Sequence, residues 1–335
     1  MTSVPTSFLN RRRLLRGLAA TAGAALTGLA FARSGARFPT GRITLVTPMA
    51  AGGSTDYAAR LLARDLTQAL GVPAVVDNKA GASGAIGAVF VARAEADGHT
   101  LLVAPSTVAV VNPLISDVSY DMNNDFRPIG LLAKVENVLV ASKRSGIQSI
   151  EDVIRLAKAQ PGKLTFGSNG EGSALHLAGE FLAQLAGVDL LHVPYRGASP
   201  AELALIAGEI DLLVTNTVSV APHIKAGSIV PVAVLSSAPS QQFPDLPTGS
   251  QTLPGFVVDT WVAIYAPKDT SDAVVTKLNG MLNEFLTNPE YAKDMISRGF
   301  EPAPGTPQEA LQFQQAEAIK WTKVVSSVKA AKRLK

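Results

Sequence analysis

The chain has no cysteine among its 335 residues. This absence excludes disulfide bonds, thiolate metal ligands, cysteine nucleophiles and a lipid anchor attached to an N-terminal cysteine. A chain of this length can bury enough apolar surface to be stable without disulfides, even in an oxidising compartment. If the chain is exported, we therefore expect the product to be free in solution.

Charged and aromatic residues are scarce, at 17% and 6% of the chain, whereas apolar residues make up 47%. This composition favours a large folded core over disorder. The sequence also has no P-loop Gly-Lys-Ser/Thr, no H-E-x-x-H and no G-x-S-x-G motif. We therefore predict that the chain is not an enzyme and binds no cofactor.

Two weaker patterns do not change this prediction. The glycines of residues 81–87 follow G-x-x-G-x-x-G rather than the dinucleotide pattern, and they come after the second predicted strand instead of the first. His176 and Glu180 have the i, i+4 spacing of a metal pair, but such a pair is more often a surface contact. No metal site is predicted.

Residues 1–32 have the composition of an export signal. Four arginines precede an uncharged stretch of 16 residues from Gly17 to Ala32, which ends in Ala30-Phe31-Ala32. This order is typical of a cleaved secretory signal, and residues 10–16 resemble a twin-arginine motif, which we favour over the general secretory route. The alternative is a membrane anchor, but a spanning helix needs about 20 apolar residues.

Cleavage of this segment would change the charge balance. The whole chain has a formal net charge of +3, whereas residues 33–335 carry 26 Lys and Arg against 27 Asp and Glu, a formal net charge of −1. The basic character belongs to the signal, so we expect no nucleic-acid partner.

Short apolar runs alternate with helical patterns from Ile43 onward. Runs at 43–47, 74–76 and 101–104 alternate with helical patterns that start near residues 54 and 83, which predicts a parallel sheet. The pattern restarts at Val138, and after a further strand at 261–265 the chain is helical. We predict an α/β fold of two doubly wound lobes, with residues 38–140 plus 260–335 in the first lobe and 141–259 in the second. The predicted crossings lie near Ala141 and Asp259.

Segments rich in Gly, Ser and Thr follow several predicted strands. In open α/β sheets a ligand binds beyond the carboxyl ends of the strands, and backbone N–H groups at a helix start suit an anion. Helix capping or an ordinary turn is the alternative for each segment. The candidate ligand-binding residues of the predicted first lobe are Ala51, Gly52, Gly53, Ser54, Thr55, Asp56, Ser106 and Thr107. Asp56 also suits a first-turn acid that complements the helix dipole.

The predicted second lobe supplies a matching set. Its candidates are Ser168, Asn169, Gly170, Ser173, Tyr195, Arg196, Gly197, Ala198 and Asn216. Arg196 could hold a carboxylate through paired N–H bonds, or it could lie on the surface. Tyr195 and Trp261 could each stack on a flat acid, which keeps aromatic ligands open.

Several of these segments resemble a known family. The resemblance rests on Pro48-Met49-Ala50-Ala51-Gly52-Gly53-Ser54-Thr55-Asp56, on residues 75–87, on His176-Leu177-Ala178-Gly179-Glu180, on His192-Val193-Pro194-Tyr195-Arg196-Gly197, and on Leu253-Pro254-Gly255-Phe256 with Trp261. From about Ile43 to Val325 the chain is similar to the Bug family of periplasmic solute-binding proteins, the receptors of tripartite tricarboxylate transporters.

The resemblance implies a type II periplasmic-binding-protein fold with a hinge between two lobes. It implies that a small carboxylate is captured in the periplasm and passed to membrane permease subunits, and we expect the receptor to be a monomer. The alternatives are a sensor that presents its closed form to a signalling partner and, less favoured, an enzyme that uses the same cleft. The chain departs from the family pattern at Met49, at Glu171 and at Thr215-Asn216. Glu171 either points outward or selects a ligand with an amine or hydroxyl.

Overall fold

The computed structural model describes residues 38–195, 197–258 and 260–330. The predicted signal at 1–32, Arg196 and the predicted crossing at Asp259 lie outside these residues. From Gly41 onward the described residues belong to one compact unit.

The strands are β1 (Ile43–Thr47), β2 (Ala74–Asn78), β3 (Thr100–Pro105), β4 (Phe126–Val135), β5 (Asn137–Ser142), β6 (Thr165–Ser168), β7 (Leu191–Pro194), β8 (Leu212–Asn216), β9 (Ile229–Val234), β10 (Thr260–Pro267) and β11 (Phe300–Pro302). The α-helices are α1 (Ser54–Leu70), α2 (Ala85–Ala92), α3 (Asn112–Ile115), α4 (Ile150–Ala159), α5 (Ala174–Ala186), α6 (Ala198–Ala207), α7 (Thr217–Lys225), α8 (Gly249–Thr252), α9 (Asp272–Thr287), α10 (Pro289–Ser297) and α11 (Pro307–Ala330).

In the described residues these strands form two sheets. The first has the order β11-β4-β10-β3-β1-β2, and the second has the order β7-β6-β8-β5-β9. β1 pairs in parallel with β2 and β3, and β6 pairs in parallel with β7 and β8. β10 runs antiparallel between β3 and β4, and β5 runs antiparallel between β8 and β9. Each sheet with its helices forms one lobe, which confirms the predicted α/β class.

Local sequence explains many element boundaries. β1 is a short apolar run with four of its five residues buried, as expected of a central parallel strand. Ser149 caps α4, since its hydroxyl accepts the N–H of Asp152 at 3.2 Å. Thr306 and Glu309 form a capping box at α11: the N–H of Thr306 donates to the Glu309 carboxylate at 2.7 Å, and the N–H of Glu309 donates to the Thr306 hydroxyl at 3.1 Å.

Several features depart from the sequence prediction, and one of them is β11, a short strand in the C-terminal part that was predicted to be helical. The helix expected to start near residue 83 begins only at Ala85, the first residue of α2, because the four preceding residues all have positive φ: Gly81 at 129°, Ala82 at 47°, Ser83 at 53° and Gly84 at 96°. β4 was not expected, since Pro128 and Gly130 interrupt its apolar pattern. β4 accommodates them through an irregular register with β10.

The chain changes sheets at Glu136, between β4 and β5. The sequence had placed this crossing near Ala141, which lies inside β5. The chain returns to the first sheet with β10, and α9 and α11 then pack on β4. Trp261 of β10 has 0% exposure and its ring meets Phe313 edge-on at 5.6 Å. Trp261 is therefore a core residue and does not stack on a ligand as the sequence had suggested.

Candidate ligand-binding site

The loop between β1 and α1 is held in place by the carboxylate of Asp56, which is 3% exposed. Its Oδ2 accepts the N–H of Gly52 at 2.9 Å and Nε of Arg60 at 2.9 Å, and its Oδ1 accepts Nδ2 of Asn78 at 2.9 Å. Burial acts to raise the pKa of Asp56, but the hydrogen bonds from Arg60, Gly52 and Asn78 outweigh it, so the pKa lies below its usual value. Asp56 is thus an ionised support of the loop.

The turn at residues 81–84 packs against this loop. A Cβ added to Gly84 would lie 2.5 Å from Cγ2 of Val108 and 3.3 Å from Cβ of Pro48. A Cβ on Gly87 would lie 2.8 Å from Cα of Pro48. Asn112 donates to the carbonyl of Ser83, which ties the turn to α3. The loops after β1, β2 and β3 therefore meet at one end of the first sheet.

Ser106, just after β3, is 1% exposed. Within the part of the chain that the structure describes, its Oγ is buried and has no hydrogen-bond partner. Thr107, next to it, is partly exposed and begins a π-helical turn, Thr107–Val111. A buried hydroxyl without a partner calls for a physical explanation, such as a bound molecule or water.

In the second lobe, the loop at residues 168–173 connects β6 to α5. The Ser168 hydroxyl is bonded within the protein: Oγ donates to the Gly170 carbonyl at 3.0 Å and lies 2.7 Å from Nε2 of His192. Ser173 caps α5 by accepting the N–H of His176 at 3.1 Å. Asn169 and Glu171 are exposed, and Gly170 and Ser173 are partly exposed.

The remaining candidates of the second lobe that the structure describes lie close to this loop or to the change of sheets at Glu136. The N–H of Tyr195 donates to the carbonyl of Ser168 at 3.0 Å, and Gly197 and Ala198 begin α6 with partial exposure. Burial raises the pKa of Tyr195, and the charge of Glu209 adds to this effect. Asn216 donates its Nδ2 to Oδ1 of Asn137 at 2.6 Å. Its side-chain amide thus reaches the crossing between the sheets.

The two lobes meet at these loops. A cavity of about 510 Å³ is lined on one side by Gly52, Gly53, Ser54 and Tyr57 and on the other by Val218, Ala221, Pro222 and Lys225 of α7. At a second point, a Cβ on Gly172 would lie 2.9 Å from Cδ1 of Ile115 in α3. The start of α1 and the loop before α5 therefore each lie next to the opposite lobe.

Sequence reasoning missed several residues that shape the site. Asn78 ends β2 and donates to Oγ1 of Thr47 at 2.6 Å as well as to Asp56. Asn137 donates to the carbonyl of Val258 at 2.8 Å, so it joins the two crossings between the sheets. A polar residue at the end of an apolar strand was the available signal for Asn78. In the described residues no group of three or more His, Cys, Asp or Glu could hold a metal ion.

An α/β protein with two sheets and a Gly-rich helix start beside a cavity between them has the architecture of a bilobal solute-binding protein. The chain belongs to the tripartite tricarboxylate transporter receptor family: a family model described as "Tripartite tricarboxylate transporter family receptor" matches residues 58–329. This finding confirms the resemblance to the Bug receptors.

Individual relatives agree with this assignment. Protein BugT of Bordetella pertussis is 35% identical over 304 residues, which cover 90% of this chain and 93% of the relative. The structure of R. palustris Rpa4515 with adipate is 33% identical, covers 88% of this chain and 99% of its own, and has a TM-score of 0.81. MatC (Rpa3494) from Rhodopseudomonas palustris with bound malate is 29% identical, with coverage of 86% and 100% and a TM-score of 0.76.

In the described part of the chain, none of the helices is both long enough and apolar enough to cross a bilayer.

Proposed function

We propose that this protein is a periplasmic receptor that captures a small carboxylate between its lobes and delivers it to the permease subunits of a tripartite transporter. The observation that carries the proposal is the cavity in which Gly52, Gly53 and Ser54 face α7 of the other lobe. The first N–H groups of a helix have no partner within the helix and attract anions. Because these N–H groups lie where the two lobes meet, closure of the lobes would enclose a ligand bound to them.

The proposed contacts in the first lobe are backbone groups of residues 51–55 together with Ser106 and Thr107. A ligand oxygen, or a water that it holds, would give the buried Ser106 hydroxyl its partner. In the second lobe we propose Asn169, Gly170, Ser173, Tyr195, Gly197 and Ala198, and we retain Arg196 on its sequence alone. Asp56, Ser168 and Asn216 support these contacts through the hydrogen bonds described above.

Dicarboxylates are the ligands we propose first. Two structurally similar proteins hold adipate and malate, both with two carboxylates. Tricarboxylates, amino acids and aromatic acids complete the set to be tested. Binding would favour closure because only the closed form lets both lobes contact the ligand.

We also propose that the receptor acts as a monomer and that residues 41–135 with 260–330 form one lobe and residues 137–258 the other. The change of sheet at Glu136 supports the first boundary.

Calorimetry on the mature protein with this ligand panel tests the proposal. We expect Ser54→Asp to weaken carboxylate binding at least tenfold, because a fixed negative charge would occupy the start of α1. Ser271→Asp is the matched control, since Ser271 precedes α9 and does not line the cavity. A folded protein that binds no carboxylate of the panel, or a Ser54→Asp variant that binds as tightly as wild type, would overturn the proposal.

A further inference from the structure

Two histidine rings stack beneath the loop at residues 168–173. His176 of α5 is 1% exposed, and His192 of β7 is partly exposed. Their ring centroids are 3.8 Å apart with an interplanar angle of 16°, and Phe166 of β6 stacks on His192 at 4.9 Å. The loop that we propose to contact the ligand therefore rests on a pair of imidazoles.

Each imidazole holds one end of that loop. The N–H of Gly172 donates to Nδ1 of His176 at 3.0 Å. At the other end, the Ser168 hydroxyl donates its single proton to the carbonyl of Gly170, so Nε2 of His192 must be the donor to Ser168 Oγ at 2.7 Å. The bond from Gly172 leaves Nδ1 of His176 unprotonated, and the bond to Ser168 places a proton on Nε2 of His192.

Added protons would disturb this arrangement. A proton on Nδ1 of His176 would point at the N–H of Gly172, and a proton on His192 would place a charge in the stack. The groups that face the pair are Glu180 on α5, with Oε1 3.7 Å from Nε2 of His176, and Ser168 and Phe166 on β6. Glu180 also lines a cavity with Lys158 and Asp189.

The surroundings of His192 agree with a neutral ring. Burial is the main cause that lowers the pKa of His192 to about 4, and the neighbouring His176 ring contributes less.

We propose that His176 and His192 are positioning residues that keep the loop at residues 168–173 in its carboxylate-binding conformation, and that they do so only while both rings are neutral. This inference rests on the proposed carboxylate site. A role in core packing alone would need only the shape of the rings, and not an acceptor at Nδ1 of one and a donor at Nε2 of the other.

Paired substitutions separate these roles. His176→Asn keeps an acceptor for Gly172 and His192→Gln keeps a donor for Ser168, whereas His176→Leu and His192→Leu keep only bulk. We expect the Leu variants to bind adipate or malate about threefold to tenfold more weakly than wild type and the Asn and Gln variants to bind within about twofold. We expect amide exchange at Gly170 and Gly172, measured without ligand, to be about tenfold faster in the Leu variants.

The pH dependence of ligand affinity tests the protonation of the rings, to which a role in core packing alone would be insensitive. From pH 6 to pH 4 the ratio of wild-type affinity to that of His192→Gln should fall by about twofold, because about half of the His192 rings are protonated at pH 4, and taking this ratio cancels the ligand's own titration. On wild type alone, ¹⁵N NMR at pH 7 should show unprotonated Nδ1 in both rings.

Leu variants with wild-type exchange and affinity, or a proton on Nδ1 of His176, would overturn the inference. If the Leu variants do not fold, the NMR assignment and the pH ratio decide it. If wild type binds no carboxylate, the proposed function fails, while the ligand-free exchange still decides whether the histidines hold the loop.

Discussion

At the residue scale, the carboxylate of Asp56 joins three segments of the first lobe. It accepts hydrogen bonds from the loop at Gly52, from α1 at Arg60 and from the end of β2 at Asn78. A loop that binds an anion through backbone N–H groups depends on the conformation of its backbone. Neighbouring side chains must therefore fix that conformation. A buried, ionised acid can do this because its oxygens accept several N–H groups at once.

Asp56→Asn tests this support. Asn keeps the size of the side chain but loses the charge and places an NH₂ group where one oxygen accepted, so we expect the free energy of unfolding to fall by about 2 kcal/mol. Glu290→Gln is the control, since Glu290 is also a first-turn acid but is exposed, and it should change stability by less than about 0.5 kcal/mol. Urea denaturation at pH 7 measures both. Equal effects would show that Asp56 acts only on the helix dipole.

His192 makes the stability of the protein depend on pH. Its pKa is about 4 in the folded chain, below the value of 6.5 for an unperturbed ring. The unfolded chain therefore binds more protons between pH 6.5 and pH 4, and the stability present above pH 6.5 is lost as the pH falls through this window, by on the order of 1–3 kcal/mol. Denaturation of wild type and His192→Gln from pH 7.5 to pH 4 should show this loss in wild type only. A constant difference between the two proteins would contradict it.

At the element scale, the contact between α2 and the loop after β1 depends on glycine. Residues 81–84 have positive φ, and α2 then begins so close to Pro48 that a Cβ at Gly87 would meet backbone atoms on two segments, Cα of Pro48 at 2.8 Å and the carbonyl of Lys79 at 3.0 Å. Backbone atoms cannot move aside as the end of a side chain can. The close approach places the turn against the proposed ligand loop.

Gly87→Ala and Gly280→Ala form a matched pair of helix substitutions. Alanine favours a helix over glycine by about 1 kcal/mol, and around Gly280 in α9 no atom lies within 4 Å of the added Cβ. We therefore expect Gly280→Ala to stabilise the protein slightly and Gly87→Ala to destabilise it by about 2 kcal/mol and to weaken ligand binding. Thermal unfolding and calorimetry give the two readouts. A stabilising Gly87→Ala would show that the loop after β1 can move away freely.

Element boundaries differ in how well the sequence predicts them. Ser149 and Thr306 mark helix starts by side-chain capping, because each hydroxyl accepts the N–H of the residue three positions further along the chain. β4 was missed because Pro128 and Gly130 interrupt its pattern, and its pairing with β10 joins residues more than a hundred positions apart. A local sequence pattern does not determine which distant strand a segment pairs with.

At the scale of the whole molecule, the lobes contact each other beside the cavity. A Cβ on Gly299, just before β11, would lie 2.9 Å from Cγ2 of Val218 and 3.1 Å from Oγ1 of Thr217 at the start of α7. This contact leaves no space for a side chain at Gly299. We propose that the lobes approach to this distance when they enclose a ligand.

Gly299→Ala should therefore disfavour the closed form. We expect at least a fivefold loss of carboxylate affinity and a larger radius of gyration with ligand by small-angle X-ray scattering. Gly255→Ala is the control: φ is +85° at Gly255 and +80° at Gly299, so the backbone strain is similar, but no atom lies within 4 Å of a Cβ at Gly255. Gly255→Ala should lose stability but keep its affinity and compaction. Equal affinities in both variants would contradict a role for this contact in closure.

The sequence by itself determined the α/β class, the two series of strands and helices, the helix caps and the Gly-rich segments, because each of these depends on a few neighbouring residues. The tertiary structure decided that Asp56 meets Asn78, that His176 stacks on His192, that Asn137 joins Val258 and that the chain changes sheets at Glu136. These contacts join positions far apart along the chain, and packing of the two lobes selects them from many local possibilities. The proposed anion site depends on both local sequence and tertiary contacts. Short motifs supply its N–H groups, and long-range contacts hold them in place.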